Sequence, residues 1–187
     1  VNGRKDFAPS ETILKYLRDY NDPRLGAYAE ANRLGKYDGV PVGINKGDIS
    51  NYSDCATFDP RYFEAQNTPI TIISPSHILL IEAEAAVRGW ITADAETLYK
   101  DGIRASLAQY GVEGEFDAYY SVAEVTFTGT DEEKIAKIGM QRWLANFMQD
   151  GVEAWSDWRR LNVPDIKPGP SASISHIPYR RVYYPDD

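Results

Sequence analysis

Residues Pro75–Tyr110 read PSHILLIEAEAAVRGWITADAETLYKDGIRASLAQY, and this stretch decides the fold. Ser74 precedes Pro75, and Pro suits the first position of a helix because its missing N–H would lack a partner there anyway. The apolar run then continues to Arg88, and Gly89 supplies the residue that most readily takes the left-handed conformation ending a helix. Asp94 is a helix-capping residue and opens a second helical stretch closed by Gly111. Leu98, Ile103 and Leu107, helped by Ala95, approximate one apolar stripe at helical spacing. Two helices joined by about four residues must pack antiparallel.

The small and aromatic positions Gly89, Ala95, Tyr99 and Gly102 resemble those of a tetratricopeptide helical hairpin. Further along, EFDAYYSVAEV (Glu115 to Val125) predicts a helix. Thr130 with Glu133 three residues on forms a capping box, which starts a helix expected from Asp131 to about Gln149. The segment MQRWLANFMQDGVEAWSDWRR (Met140 to Arg160) is the most distinctive in the chain. Met140, Leu144, Phe147 and Met148 are expected on one face, Gly151 interrupts the helix, and Asn162-Val163-Pro164 ends a last short one. Trp155 and Trp158 are three apart and Trp155 and Arg159 four apart, so they can share a face on which the guanidinium stacks on the indole. That spacing favours Trp143, Trp155 and Trp158 as wedges between helices over a stacking platform for ligand.

N-terminal to the hairpin, SETILKYLRDY (Ser10 to Tyr20) predicts a helix capped by Ser10, with Ile13, Leu14 and Leu17 on its apolar face. Residues 24–74 show no helical period of useful length and are rich in Gly, Asn, Asp, Ser, Tyr and Pro. They read as a loop-rich insertion, and loops this long in compact domains are often functional. TPITIIS (Thr68 to Ser74) is β-branched and suits a short strand or an extended lead into the next helix. The expected architecture is mainly α: tetratricopeptide-like hairpins over 75–163 as a helical core, packed with the loop-rich 24–74, all within one partial domain over 1–187.

The chain of 187 residues can bury a core without disulfide or metal support. Its 43% hydrophobic and 26% charged residues are ordinary for a globular protein. A formal net charge of −8 repels phosphate backbones and argues against nucleic acid as a partner. The lone cysteine, Cys55, allows no intrachain disulfide and reads as a small packing residue. No run is long enough for a membrane span. The sequence opens without Met and stops on YYPDD, so both ends look like cuts through a longer protein.

Catalytic chemistry is poorly supplied. The two histidines, His77 and His176, lie in a first helical turn and in a Ser/Pro-rich tail, without the setting of a triad. The glycines of GVPVGINKGD fit neither a P-loop nor a dinucleotide fingerprint, and no cofactor is expected. No Cys/His cluster suggests zinc. Asn45, Asp48, Asn51 and Asp54 could offer oxygens to calcium, but Asx-rich loops more often make turns, and no metal site is assigned. Glu82 and Glu84 point to different faces of an apolar helix, so one carboxylate is expected to be buried and paired with Arg104, Arg159 or Arg160. For ligand, the 13 Tyr and 4 Trp provide flat apolar faces with polar handles. Tyr28, Tyr37, Tyr52, Phe58 and Tyr62 stand among Gly, Asn and Asp in the loop region and are the expected ligand-binding residues, since a sugar ring takes an apolar face plus planar polar groups.

These blocks together resemble one family. DPRL (Asp22 to Leu25), YDGVPVGI (Tyr37 to Ile44), SPSHILLIEAEAAVRGW, DAETLYKDGIRAS, QRWLANFMQDGVEAWSDWRRLNVP and HIPYRRVYYP occur in the order and separation of the SusD/RagB family, more narrowly its second SusD-like group. The resemblance implies an α-helical fold with tetratricopeptide-like pairs beneath a loop-rich ligand face. It implies a cell-surface component that binds oligosaccharide or another nutrient and passes it to a SusC-like TonB-dependent transporter in the outer membrane of Bacteroidetes-type bacteria, without hydrolase activity. Members are lipoproteins, so membrane attachment would come only through a lipid anchor in a preceding N-terminal part, and this chain would be the C-terminal portion. Binding residues vary with ligand in the family, so none is transferred position by position. The alternative reading is a tetratricopeptide-like protein-interaction scaffold with no sugar site in this portion.

Overall fold

The computed structural model describes residues 7–63 and 65–173, apart from the side chains of Ile49, Tyr62 and Phe63. The chain is mainly α, and its centre is the expected hairpin. Helix α4 (Pro75–Val87) starts with the Ser74 side chain accepting from the His77 N–H. Helix α5 (Ala95–Gln109) starts with Asp94 accepting from Thr97. Both end alike: Gly89 (φ 71°) and Gly111 (φ 70°) are left-handed, and the next amides, Trp90 and Val112, reach back to the Ala85 and Leu107 carbonyls at 2.9 and 3.1 Å. This 6→1 closure satisfies carbonyls that the helix end leaves open.

The two helices approach closely because Gly102 has no side chain: a Cβ there would stand 2.7 Å from Leu80 Cγ. The buried stripe of α5 is Tyr99, Gly102, Ile103, Ser106 and Leu107. Leu98, expected in it, is only half-buried. Helix α7 (Asp131–Ala145) packs across α4 and carries the full capping box between Thr130 and Glu133.

Helix α1 (Glu11–Asp19) buries Ile13, Leu14 and Leu17 as expected, and Ser10 takes the extended N-cap conformation without a side-chain cap. The Glu11 N–H donates instead to the Val40 carbonyl at 2.9 Å. Residues 24–74 hold only short elements: helices α2 (Leu25–Tyr28) and α3 (Pro60–Phe63), a 3₁₀ turn at Lys46–Tyr52, and the antiparallel strands β1 (Ala29–Glu30) and β2 (Thr57–Phe58) with Ala29 opposite Phe58.

One alternative is decided and two expectations are corrected. Of the two readings of Thr68–Ser74, the extended lead into α4 holds: it forms no strand and runs over the surface with Ile70 and Ile72 each 91% exposed. The helix expected over 115–125 is the short α6 (Phe116–Tyr120). Beyond it the Thr126 hydroxyl donates to the Tyr120 carbonyl at 2.8 Å, and the turn drives Val125 and Phe127 into the core. Side-chain bonds of this kind compete with helix propagation. Helix α7 ends at Ala145, four residues early. Met148 turns left-handed (φ 58°) and is exposed rather than on the buried face. Asp150 then caps α8 (Gly151–Leu161) through the Glu153 N–H.

Two apolar clusters result. Ile13, Leu14, Leu17, Tyr28 and Leu144 anchor one; Leu80, Tyr99, Ile103, Leu107, Tyr119 and Ile138 anchor the other.

Candidate functional site

The loop region is held by two uses of the same tripeptide, Asp-Pro-Arg. Arg24 is fully buried. Its backbone N–H and Nε both donate to Asp22 Oδ1 at 2.9 Å, and Nη2 to Asp22 Oδ2 at 2.6 Å. Its remaining donors reach Ser106 on α5 at 2.9 Å, Tyr119 on α6 at 3.1 Å and Gln141 on α7 at 3.0 Å. Burial, the largest single influence, would depress the guanidinium pKa; the Asp22 charge and hydrogen bond together with Tyr119 and Tyr28 outweigh it and hold the pKa up. A buried charge survives only when paired and bonded in this way. The Asp59 carboxylate likewise receives the backbone N–H of Arg61 at 2.8 Å and its Nε at 3.0 Å, and the Asp59 N–H donates to the Tyr28 carbonyl.

The stretch Tyr37–Ile44 is fixed by close backbone contact. A Cβ on Gly39 would stand 2.5 Å from the Glu11 nitrogen, and one on Gly169 would stand 1.8 Å from the Val42 carbonyl oxygen. Arg18 donates to the Tyr37 carbonyl and to Glu11, and the Gly39 N–H donates to Glu11 at 2.7 Å.

The expected ligand residues whose side chains are described stand in different settings. Tyr28 is corrected: it is fully buried, its hydroxyl donates to the Leu144 carbonyl at 2.8 Å, and its ring packs edge-on against Tyr110. It has no face for a sugar. Phe58 is half-buried and leans on Phe147 while its backbone pairs with Ala29. Tyr37 is half-buried against the α1 cluster. Tyr52 is half-buried at the end of the 3₁₀ turn. The Tyr62 side chain lies outside the described residues, as do His176 and the HIPYRRVYYP block.

Glu84 is the buried carboxylate of its helix and Glu82 the exposed one. Arg160 Nη2 donates to Glu84 at 2.8 Å and Arg88 Nε does so at 2.8 Å. Arg142 lies 3.7 Å away and bridges to Asp157 at 2.9 Å. Of the expected partners only Arg160 serves; Arg104 bonds Asp101 and Arg159 stacks over Trp155 at 4.6 Å. Burial pushes the Glu84 carboxyl up, but the hydrogen bonds from Arg160 and Arg88 outweigh it and hold it below its ordinary value. The cluster ties α4, α7 and α8 together and is structural.

Trp158 is buried, and Trp143 meets Tyr16 edge-on at 5.8 Å, so both wedge helices as their spacing suggests. With Trp155 and Ile166 they line a shallow apolar cleft that carries almost no polar group. Of the Asx residues considered for calcium, Asp54 is occupied by Arg33 at 2.9 Å. Among the described residues no three His, Cys, Asp or Glu side chains converge, and no helix is long and apolar enough to cross a membrane. Cys55 is half-buried, and burial pushes its thiol up.

A groove the sequence did not suggest lies between the Thr71–Ser74 segment and the turn joining α7 to α8. It has a volume of about 250 Å³ and takes His77, Asn146, Gln149, Asp150 and Glu153 as its polar groups. It continues past Thr71 and Gln149 into a second hollow of about 370 Å³ floored by Tyr110, Met148 and Ile70. The Tyr110 hydroxyl accepts from Gln149 Nε2 at 2.7 Å, which orients that amide. These residues were hidden because Asn146–Gln149 read as the last turn of α7. The polar run Gln149-Asp150-Gly151 was the signal that the helix could stop there.

Comparison with known proteins places the architecture. The sequence profile SusD-like_2, described as starch-binding and associating with the outer membrane, matches residues 1–185. A Bacteroides vulgatus outer membrane protein, linked by its description to nutrient binding, is 27% identical with a TM-score of 0.80 over 94% of this chain and 44% of its own. A SusD homologue of Bacteroides fragilis is 26% identical with a TM-score of 0.78 over 93% of this chain and 43% of its own. A chitin-binding protein is 30% identical with a TM-score of 0.75 over 95% of this chain and 43% of its own. The chain therefore spans less than half the length of the solved structures it matches. No curated protein matches it. The profile covers nearly the whole chain, and the chain belongs to the SusD-like family described as starch-binding and associating with the outer membrane.

Proposed function

We propose that this chain is part of a glycan- or nutrient-binding component of an outer-membrane uptake system, a surface lipoprotein that delivers oligosaccharide to a SusC-like TonB-dependent transporter. The observation that carries this reading is the family match over residues 1–185, and the 30% identity to a chitin-binding protein across 95% of the chain supports it. The structure contributes the physical means: a rigid helical frame, a loop-rich face pinned to it by buried Asp-Pro-Arg anchors, and open hollows bearing amide and carboxylate groups. Tyr37, Tyr52, Phe58 and Tyr62 remain proposed contacts on that face. The protein acts by binding, not by cleavage. Affinity for one sugar unit is modest, because its hydroxyls exchange water bonds for protein bonds with small net gain.

Calorimetry of the full-length protein against a panel of oligosaccharides tests this, with product analysis by chromatography of the same mixtures. Binding without change in oligosaccharide length is the expected result; shortened products refute it. A second reading, a protein-docking scaffold, is favoured by Ile70, Ile72, Ile73 and Val152, which are 69–91% exposed. Co-purification with a transporter, with no oligosaccharide bound by the full-length protein, would select it.

A further inference from the structure

We infer that the groove between Thr71–Ser74 and the α7–α8 turn is a binding subsite for an uncharged saccharide unit. The inference rests on the glycan-binding reading and adds to it a place and a ligand charge. Five polar side chains converge there: His77, Asn146, Gln149, Asp150 and Glu153. Four are planar amide or carboxylate groups, which make paired hydrogen bonds to neighbouring sugar hydroxyls. The adjoining hollow supplies the apolar counterpart in Tyr110, Met148 and Ile70.

Asn146 lines the groove as well. It is 7% exposed. Gln149 is already oriented by Tyr110, and Asp150 is fixed as the α8 cap, with only Oδ1 engaged at 2.9 Å by Glu153 N. Gln149 and Asp150 are thus held in place before any ligand arrives, which lowers the ordering cost of binding.

Charge sets the ligand class. Neither hollow has a Lys or Arg among its lining residues, while Asp150 and Glu153 bring two carboxylates. Arg142 sits behind Glu153 at 3.6 Å and is itself buried. At the starts of α4 and α8, which could attract an anion, one N–H of each, that of His77 and that of Glu153, is taken by the side chain of Ser74 or Asp150. A uronate or sulfated sugar would face these carboxylates without a compensating cation, whereas neutral hydroxyls donate to them.

The test is isothermal calorimetry of the full-length protein with chitohexaose, maltohexaose and hexagalacturonate. Three variants are compared with wild type: Asp150→Asn, Glu153→Gln and Thr71→Trp. Asn caps helices as well as Asp does, so Asp150→Asn keeps the turn, and Thr71→Trp adds bulk from a surface segment. At least one neutral hexasaccharide is expected to bind and hexagalacturonate is not. Each carboxylate-to-amide change weakens the neutral ligand about tenfold, the usual scale for a hydrogen bond to a charged group, and Thr71→Trp abolishes binding. Neutral binding that all three variants leave unchanged overturns the groove and spares the glycan reading. Binding of hexagalacturonate alone overturns the charge assignment. Binding of none of the three probes by wild type overturns the groove and the glycan reading together.

Discussion

Replacing Asp22 by Asn is the sharpest test of what holds the loop face to the helices. The change is nearly isosteric. The remaining Asn oxygen can still accept from Arg24 N and Nε at 2.9 Å. The new amide nitrogen, however, would stand where Oδ2 now takes Nη2 at 2.6 Å, placing donor against donor. More importantly, the guanidinium is fully buried and its other partners, Ser106, Tyr119 and Gln141, are neutral. Leaving a buried charge without its counter-ion costs about 3–5 kcal/mol. With a urea slope of about 2 kcal/mol per molar, the unfolding midpoint should fall by about 2 M at unchanged slope. The double variant Asp22→Leu with Arg24→Met removes both charges and should recover most of the loss. A midpoint shift below about 0.5 M for Asp22→Asn, equivalent to about 1 kcal/mol at that slope, would refute the view that this ion pair is the anchor.

Two further outcomes follow from the same geometry. Gly102→Ala should gain about 1 kcal/mol in helix propensity. Its Cβ would nevertheless meet Leu80 Cγ at 2.7 Å, and overpacking costs about 1–3 kcal/mol, so thermal unfolding should show net loss. Gly151→Ala, whose Cβ meets nothing within 4 Å, should show none. Glu84 has a folded pKa held below its ordinary 4.5. Its contribution is therefore complete above that value and is lost as pH falls through the lower folded one. Stability measured from pH 7 to pH 2 should decline on this acid limb, and Glu84→Gln should be less stable at pH 7 with a shallower decline.

Much of the frame was legible in the sequence because its signals are local. Ser74-Pro75, Asp94, Thr130 with Glu133, and Gly89 and Gly111 act through bonds to residues within about one helical turn, and the structure shows each of them. That one of Glu82 and Glu84 is buried was also readable, since an acid in an apolar helix face must be paired; that it is Glu84 was not. Its partners Arg88, Arg142 and Arg160 come from three helices, and nothing local chooses Arg142 over Arg104.

The ends of helices set by packing were less legible. The turn after Ala145 goes with a side chain finding a distant place, Phe147 against Tyr28 and Phe58. Periodicity alone continues α7 past that point. The same limit applies to the aromatic loop residues. Composition singles out Tyr28, Tyr37, Tyr52, Phe58 and Tyr62 as able to stack, but exposure is a tertiary property. Tyr28 is fully buried because α2 is drawn against α7, where the Leu144 carbonyl waits for its hydroxyl.

The sequence by itself determined the mainly α architecture, the caps that start and stop its hairpin, and the family blocks. Only the tertiary structure decided that Asp22-Pro23-Arg24 is a buried anchor, that Tyr28 is core, and that Asn146, Gln149, Asp150 and Glu153 face a groove with His77. The physical reason is range. Caps and periodicity are written in neighbouring residues, whereas burial and convergence depend on which distant surfaces the packed helices bring together.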